Sequence, residues 1–155
     1  MDPFKLVDAA IDLISSGVAG NTVVREYMKR AASTLYYAMF HCLAKSNADV
    51  LAGPRGGNAW DRVYRAINHR ETARRCRDAE AMAAFPSEIQ HFASIFCAAQ
   101  EEREQADYNP SFPGRAPAVM ILGALTVRTA MLSFNAVAEA DRREFAIHLL
   151  IRVRT

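Results

Sequence analysis

Apolar residues recur every three or four positions over a long segment near residue 30, and this spacing constrains the fold more than any other feature. The repeat consists of Val24, Met28, Ala31, Leu35, Met39 and Cys42. Because an α-helix turns once in about 3.6 residues, side chains at this spacing form one apolar stripe. The spacing therefore predicts a helix over 22–45. Beside the apolar stripe runs a polar one, formed by Arg30, Thr34, Tyr37, His41 and Lys45.

The rest of the chain also favours helices. Alanine is abundant, β-branched residues are sparse, and no segment alternates apolar with polar residues as a strand would. We predict no strands, and helices over 2–15, 58–69, 86–107 and 118–138, a short helix within 70–85, and a last helix from Asp141. The predicted fold is all-α, an up-and-down bundle of four to five main helices with short helices appended. It forms a single domain over 1–155.

Several residues suggest where the helices begin and where the chain turns. Asp2 suits an N-cap and Pro3 a first helical position. Asp141, with Glu144 three residues later, resembles a capping box. Two segments rich in glycine or proline, 53–57 and 108–117, are predicted loops.

The composition is that of an ordinary globular protein. The 155 residues are 51% hydrophobic and 23% charged, with a formal net charge of +2. This apolar content excludes a disordered chain, and 3 cysteines without a CxxC pair exclude a disulfide scaffold and a zinc knuckle. We expect the three thiols to be buried and reduced.

The sequence contains no pattern typical of secretion or membrane insertion. The first residues lack the charged and then apolar layout of a signal peptide. The longest apolar run, 116–127, is shorter than the ~20 residues that span a bilayer, and Arg128 follows it. We expect a cytoplasmic protein with no membrane partner.

A basic stripe lies on the predicted helix over 58–69. Arg62, Arg65 and His69 fall on one side of the helical wheel, opposite the apolar residues Trp60, Val63, Tyr64 and Ile67. Such a stripe could hold a phosphate between two guanidinium groups and present an imidazole beside it as general base or acid. The same stripe could equally be the solvated face of an amphipathic helix.

Arginine is concentrated around this stripe. Between residues 50 and 80 there are seven arginines and no lysine, and four acidic residues offset four of them. The arginines that flank the stripe are Arg55, Arg70, Arg74, Arg75 and Arg77. Arginine without lysine suits bidentate contact with phosphate, but it also suits a helix face covered with ion pairs, and both interpretations stay open.

Arg103 continues the apolar stripe of the helix over 86–107, where a charge is unexpected. A charge at such a position should be paired or should line a cavity, and Asp107 lies within salt-bridge reach four residues on. Tyr37 and His41 raise the same choice between a binding role and a structural one. No phosphate loop, serine-hydrolase, zinc-protease or EF-hand motif is present, and the histidines show no metal-ligand spacing. We therefore predict neither a metal nor a cofactor.

Two short motifs resemble those of a known family. The run Leu35-Tyr-Tyr-Ala-Met-Phe-His41 is similar to the signature of HEPN domains (higher eukaryotes and prokaryotes nucleotide-binding). Ala106-Asp-Tyr108, which follows Arg103, resembles a second landmark of that family. The order and separation of the two landmarks match, and the resemblance covers about 23–140.

The resemblance implies an all-α bundle that usually forms a homodimer. It implies a metal-independent endoribonuclease that binds RNA, often a toxin neutralised by a nucleotidyltransferase-type antitoxin, or a component of CRISPR or phage defence. The family signature is an arginine, four to six residues, and a histidine, which Arg62 and His69 match. In that assignment Arg62 steadies the phosphate and His69 takes the proton from the 2′-hydroxyl. The supporting substrate-binding residues are Arg65, Tyr37, His41, Arg103, Asp107 and Tyr108.

Two features leave a second hypothesis open. Val63 follows Arg62, where the family commonly has a polar residue, and Arg65 is too close to His69 to fit the signature. The chain is then either a ribonuclease with Arg62 and His69 catalytic, or an inactive helical module that binds a partner or nucleotide.

Overall fold

The structure is a computed structural model that describes residues 1–53 and 56–154. It contains eight helices among these residues: α1 (Pro3–Ser16), α2 (Arg25–Ala52), α3 (Asn58–Ala66), α4 (His69–Cys76), α5 (Ala79–Met82), α6 (Ser87–Tyr108), α7 (Pro117–Asn135) and α8 (Glu139–Leu150). The predicted fold class, an all-α bundle with short helices appended, is confirmed.

The prediction of no strands is wrong in one place. Two residues on each side of a tight turn form an antiparallel pair, β1 (Val18–Ala19) and β2 (Thr22–Val23), with Val18 opposite Val23. Gly20 has φ of 62° there, a left-handed conformation that glycine adopts without a steric penalty. The pair is too short to show an alternating sequence pattern, and it delays the start of α2 to Arg25.

Helix α2 lies at the centre of the bundle and packs against α1, α3, α6, α7 and α8. The predicted apolar stripe is buried from Met28 to Cys42, whereas Val24, its first residue, is half-buried at the N-cap position before α2. Helix α2 continues past residue 45 to Ala52, where Ala48 and Val50 are buried as well. Gly53 ends the helix with φ of 78°. Of the predicted 53–57 loop, Pro54 and Arg55 lie outside the described residues.

The buried faces of α6 and α7 follow the same helical spacing as that of α2. Ile89, Phe92 and Phe96 of α6 are buried, as are Met120, Ala124, Val127, Met131 and Phe134 of α7. The largest side chains form a cluster of aromatic contacts, in which Phe92 stacks on Phe134 with ring centroids 4.3 Å apart and Phe134 meets Phe145 edge-on. This cluster joins α6, α7 and α8.

The predicted continuous helix over 58–69 is wrong. Helix α3 ends at Ala66, Ile67 and Asn68 are extended, and His69 is the first residue of α4. The break has two physical causes. The Ile67 side chain is buried in the core, and the Asn68 side chain caps the new helix by accepting a hydrogen bond of 3.0 Å from the Glu71 backbone N–H.

Helix ends elsewhere agree only in part with the prediction. Asp2 caps α1 by accepting from the Phe4 backbone N–H at 3.0 Å, and Pro3 opens that helix, as predicted. Asp141 is not an N-cap, because α8 already begins at Glu139 and has no side-chain cap. The 70–85 segment forms two short helices instead of one.

Helix α7 has two apolar faces, only one of which is buried. Val119, Leu122, Leu125 and Leu132 are exposed on its outer side. The predicted 116–127 apolar run is therefore part of a longer helix, which among the described residues is the one helix that could cross a membrane by length and composition. This is weak evidence for a membrane span, since a helix that faces the core of a bundle passes the same test.

We expect the Phe134→Ala variant to lower the free energy of unfolding by about 3–5 kcal/mol, because it opens a cavity in the aromatic cluster of α6, α7 and α8. Leu132→Ala on the same helix removes a side chain that is 56% exposed and should change stability by no more than about 0.5 kcal/mol. Urea unfolding of both variants measures the difference. Equal effects would show that the buried face of α7 is assigned wrongly.

Candidate functional site

Aromatic and basic side chains from four helices meet beside the middle of α2. We call this group the two-histidine cluster; it consists of Tyr36, Tyr37, Phe40 and His41 of α2, Tyr64 of α3, His69 of α4, and Arg103 and Tyr108 of α6. Residues far apart in sequence are brought together because α3 and α6 pack against α2 and α4 packs against α6.

The His69 ring is held in one orientation by α2. It stacks on Phe40 with centroids 4.1 Å apart, and the Tyr37 ring meets it edge-on. Its Nδ1 forms a hydrogen bond of 2.6 Å with the hydroxyl of Tyr36. If Nδ1 donates to that hydroxyl, the other ring nitrogen, Nε2, carries the free lone pair, and Nε2 makes no hydrogen bond to any described residue.

The surroundings of His69 favour the neutral imidazole. Burial lowers its pKa below the ordinary value, and the nearby charges of Arg103 and of protonated His41 lower it further. Burial also raises the pKa of Tyr36, so its phenol keeps its proton at neutral pH. A neutral imidazole with an unpaired nitrogen is the form in which histidine acts as a general base.

His41 makes a similar pair with Tyr64. Its Nδ1 lies 2.6 Å from the Tyr64 hydroxyl, and burial lowers the pKa of this imidazole as well. The rings continue outward as a stack, His41 on Tyr64 and Tyr64 on Trp60, with centroids 5.9 and 5.0 Å apart. Trp60 is anchored by a hydrogen bond of 2.8 Å from its Nε1 to Asp49.

Arg103 supplies a positive charge held among tyrosine rings. Its side chain is only 13% exposed, and its guanidinium carbon lies 5.4 to 5.7 Å from the ring centroids of Tyr36, Tyr37 and Tyr108. Nε donates to Asp107 at 3.2 Å, and Nη2 donates to the hydroxyls of Tyr37 and Tyr108. The predicted ion pair with Asp107 is therefore confirmed, while Nη1 has no partner among the described residues.

Arg62 and Arg65 do not join this cluster through a shared helical face with His69. Both are exposed on α3, and the extended residues Ile67 and Asn68 separate them from His69. Neither arginine makes an ion pair or hydrogen bond within the described part of the chain. The single basic stripe predicted from the helical wheel is therefore wrong, whereas the roles assigned to Arg62 and His69 stay predictions.

The other arginines of this region mostly form ion pairs. Glu71 binds Arg74 at 2.6 Å and Arg75 at 3.1 Å, and these hydrogen bonds lower the pKa of Glu71 to about 2. Arg77 binds Glu101 at 2.9 Å. For these three arginines the ion-paired interpretation is correct, and Arg55 lies outside the described residues.

Sequence reasoning missed three members of the cluster, Tyr36, Phe40 and Tyr64. Tyr36 and Phe40 stand inside the Tyr-Tyr-Ala-Met-Phe-His run, four positions apart and so on one helical face. That spacing predicts that Tyr36 and Phe40 share one face of the helix, but it does not identify the side chain that they contact. Tyr64 belongs to the apolar side of α3, and nothing in the local sequence pairs its hydroxyl with His41.

The described residues contain no group of three or more His, Cys, Asp or Glu side chains placed to hold a metal ion. The chain was compared with protein-family models, with curated proteins and with solved structures, and none of the three comparisons gives a match.

We expect Arg103→Gln to raise the pKa of His69, because it removes a positive charge that opposes protonation of the ring. The pKa should stay below about 6.5, since burial remains. The chemical shift of the His69 ring protons, followed by NMR across pH, measures it. Arg77→Gln removes the same charge at a residue that binds Glu101, and it should leave the His69 titration unchanged. The Coulombic account is refuted if both variants shift His69 equally.

Proposed function

We propose that this chain is a metal-independent endoribonuclease whose active site is the two-histidine cluster. The observation that carries the proposal is the joint placement of two imidazoles and one guanidinium, each held by tyrosines and each keeping an unpaired nitrogen among the described residues. A base, an acid and a cation each accelerate the cleavage of an RNA phosphodiester.

His69 is the proposed general base. Its Nε2 takes the proton from a ribose 2′-hydroxyl, the 2′-oxygen forms a bond to phosphorus, and the bond from phosphorus to the 5′-oxygen breaks. Protonated His41 gives its proton to the departing 5′-oxygen. The products are a 2′,3′-cyclic phosphate and a free 5′-hydroxyl, and no metal takes part.

The Coulombic interaction between the two rings supports this division of roles. Charge on His41 lowers the pKa of His69, so the pair binds its first proton more readily than its second. The singly protonated pair contains one acid and one base at the same time. His69 is the ring of the pair that stays neutral, because Arg103 opposes its protonation, and it is therefore the one assigned as base.

Arg103 is the proposed phosphate-binding cation. Three of its N–H groups are used by Asp107 and the two tyrosines, which fixes the guanidinium plane, while the two on Nη1 point to no described partner. A fixed guanidinium in a site with little water stabilises the negative charge that develops on phosphate oxygens. Tyr108 is 71% exposed, and its ring lies against the Arg103 guanidinium. We propose that a bound RNA strand enters the site at this ring.

The stack of His41, Tyr64 and Trp60 is the proposed contact surface for nucleobases. Aromatic rings bind unpaired bases by stacking, at about 1–3 kcal/mol per base. Arg62 and Arg65 are exposed on α3, the helix that carries Trp60 and Tyr64, and they are the proposed contacts for flanking phosphates. Single-stranded RNA is therefore the proposed substrate.

The biological setting is proposed from the HEPN resemblance alone. We propose a cytoplasmic toxin or defence nuclease that forms a homodimer and is neutralised by a nucleotidyltransferase-type antitoxin. A toxic ribonuclease stops growth when it is expressed without its antitoxin, so the active-site variants described below should relieve that arrest.

One observation favours a second candidate, a helical module that binds a partner without catalysis. Nδ1 of each histidine and Nε of Arg103 already have partners within the chain, as the members of a purely structural network would. In that case the cluster serves to fix α3, α4 and α6 on α2. Intact RNA after incubation with the pure protein would support this candidate.

We expect His69→Gln to slow RNA cleavage at least about 100-fold, because it removes the general base. The experiment incubates a labelled single-stranded RNA with the pure protein and EDTA, and identifies the 2′,3′-cyclic phosphate ends by mass spectrometry. His91→Gln changes an exposed histidine of α6 outside the cluster and should leave the rate unchanged. Cleavage that persists in His69→Gln, or that EDTA abolishes, contradicts the proposal.

The pH profile tests the same division of roles. Activity needs neutral His69 and protonated His41, and both pKa values are lowered, so the bell-shaped profile should have its maximum below about pH 6.5. A maximum at about pH 8 would contradict the pairing of His41 as acid with His69 as base.

Comparing two arginine variants identifies the phosphate ligand. Arg103→Gln should lower kcat by about 10²–10³-fold, the loss typical of a group that stabilises transition-state charge. Arg62→Gln removes an exposed charge and should act mainly on RNA affinity, with a steep dependence on salt. If Arg62→Gln lowers kcat as much as Arg103→Gln does, Arg62 also stabilises the transition state, as the HEPN resemblance implies, and the proposal of Arg103 as the phosphate-binding cation is contradicted in its exclusive form.

A further inference from the structure

Two of the three cysteines face each other across a helix interface. Cys76 is the last residue of α4 and Cys97 lies in the middle of α6, where its thiol donates to the Ala73 carbonyl oxygen of α4 at 3.7 Å. Ala73 lies three positions before Cys76 and so on the same face of α4, and both cysteines line one cavity. Helices α4 and α6 pack against each other and both cysteines belong to the hydrophobic core, so this juxtaposition follows from the fold.

The pair can be reached by small molecules. Cys76 and Cys97 are 8% and 9% exposed, and both line a surface cavity of about 390 Å³ whose wall also includes Arg77, Met82, Gln90 and Ser94. A peroxide fits such a cavity, whereas a protein-sized oxidant does not. Cys42, the third thiol, lies on α2 and faces the side chain of Asn135, far along the chain from either of these two.

We propose that Cys76 and Cys97 form a reversible disulfide that small hydroperoxides generate within one chain. Neither thiol has a role in the proposed ribonuclease chemistry, so this oxidation is independent of that activity.

The surroundings make the two thiols unequal. The neighbouring Cys76 thiol, together with the charge of Arg77, lowers the pKa of Cys97. The same proximity and burial raise the pKa of Cys76. Cys97 is therefore the attacking thiolate and Cys76 the resolving thiol, an arrangement typical of peroxide-sensitive cysteine pairs.

The oxidation balances in two steps. The Cys97 thiolate attacks the hydroperoxide, the O–O bond breaks, Cys97 becomes a sulfenic acid, and an alcohol, or water in the case of hydrogen peroxide, is released. The Cys76 sulfur then attacks the sulfenic sulfur, the S–O bond breaks, and water leaves with the Cys76 proton. Two thiols lose two electrons in total, and the peroxide gains them.

The test counts thiols in the full chain. The reduced protein is treated with hydrogen peroxide, unfolded, alkylated with N-ethylmaleimide and weighed by mass spectrometry. We expect the number of alkylated cysteines to fall from three to one, with a Cys76–Cys97 cross-linked peptide after proteolysis, and to return to three after dithiothreitol. Three alkylated thiols after peroxide, a disulfide that includes Cys42, or a disulfide between two chains would overturn the proposal.

Three serine variants assign the roles. Cys76→Ser should accumulate a sulfenic acid on Cys97 that dimedone traps, and Cys97→Ser should keep both remaining thiols alkylatable. Cys42→Ser is the matched control, because burial raises the pKa of Cys42 to about 12 and leaves little reactive thiolate, so its Cys76–Cys97 disulfide should form as in the unmutated chain. Dimedone labelling of Cys76 in Cys97→Ser would show that Cys76 reacts with the peroxide, which contradicts the assignment of Cys97 as the attacking thiolate. The linkage is read in the unmutated chain, so the test holds even if one variant fails to fold.

Discussion

The burial of α2 on several sides is the constraint on which the rest of the structure depends. A helix that touches five others has little free surface, and its polar groups must find partners inside the bundle. Tyr36 shows the consequence: its ring is fully buried, and its hydroxyl is satisfied by Nδ1 of His69. His69, the first residue of the short helix α4, thereby fixes that helix to α2.

The same constraint produces the unusual electrostatics of the cluster. Burial that the core requires also lowers the pKa of His41 and His69, and it surrounds Arg103 with rings instead of water. A cation in this setting is stabilised by the faces of three tyrosines and by one carboxylate, Asp107, which Ser33 also contacts. The lowered pKa values of the two histidines and the fixed position of the Arg103 cation therefore both arise from packing.

The sequence predicts the main helices well because the buried face of each one is visible locally, as apolar residues at helical spacing. Met28 to Cys42, Ile89 to Phe96 and Met120 to Phe134 all repeat at helical intervals, and all are buried. The break after Ala66 was missed because Ile67 continues the apolar spacing of α3, although Asn68 followed three residues later by Glu71 was a readable helix start. The cluster could be predicted only as a set of candidate residues, since the bond between Tyr36 and His69 joins positions 33 apart and depends on how α4 lies on α2.

Helix α4 has His69 at one end and Cys76 at the other, and eight residues of helix make a stiff rod about 12 Å long. Because one stiff helix carries both residues, the position of the His69 ring and that of the Cys76 thiol are set together. Its anchors, Gln100 on the His69 carbonyl and His148 on the Arg75 carbonyl, come from α6 and α8, two helices that do not adjoin it in sequence. The short helix is therefore held in place by two helices remote from it in sequence, and the seat of the His69 ring depends on contacts that no local sequence pattern encodes.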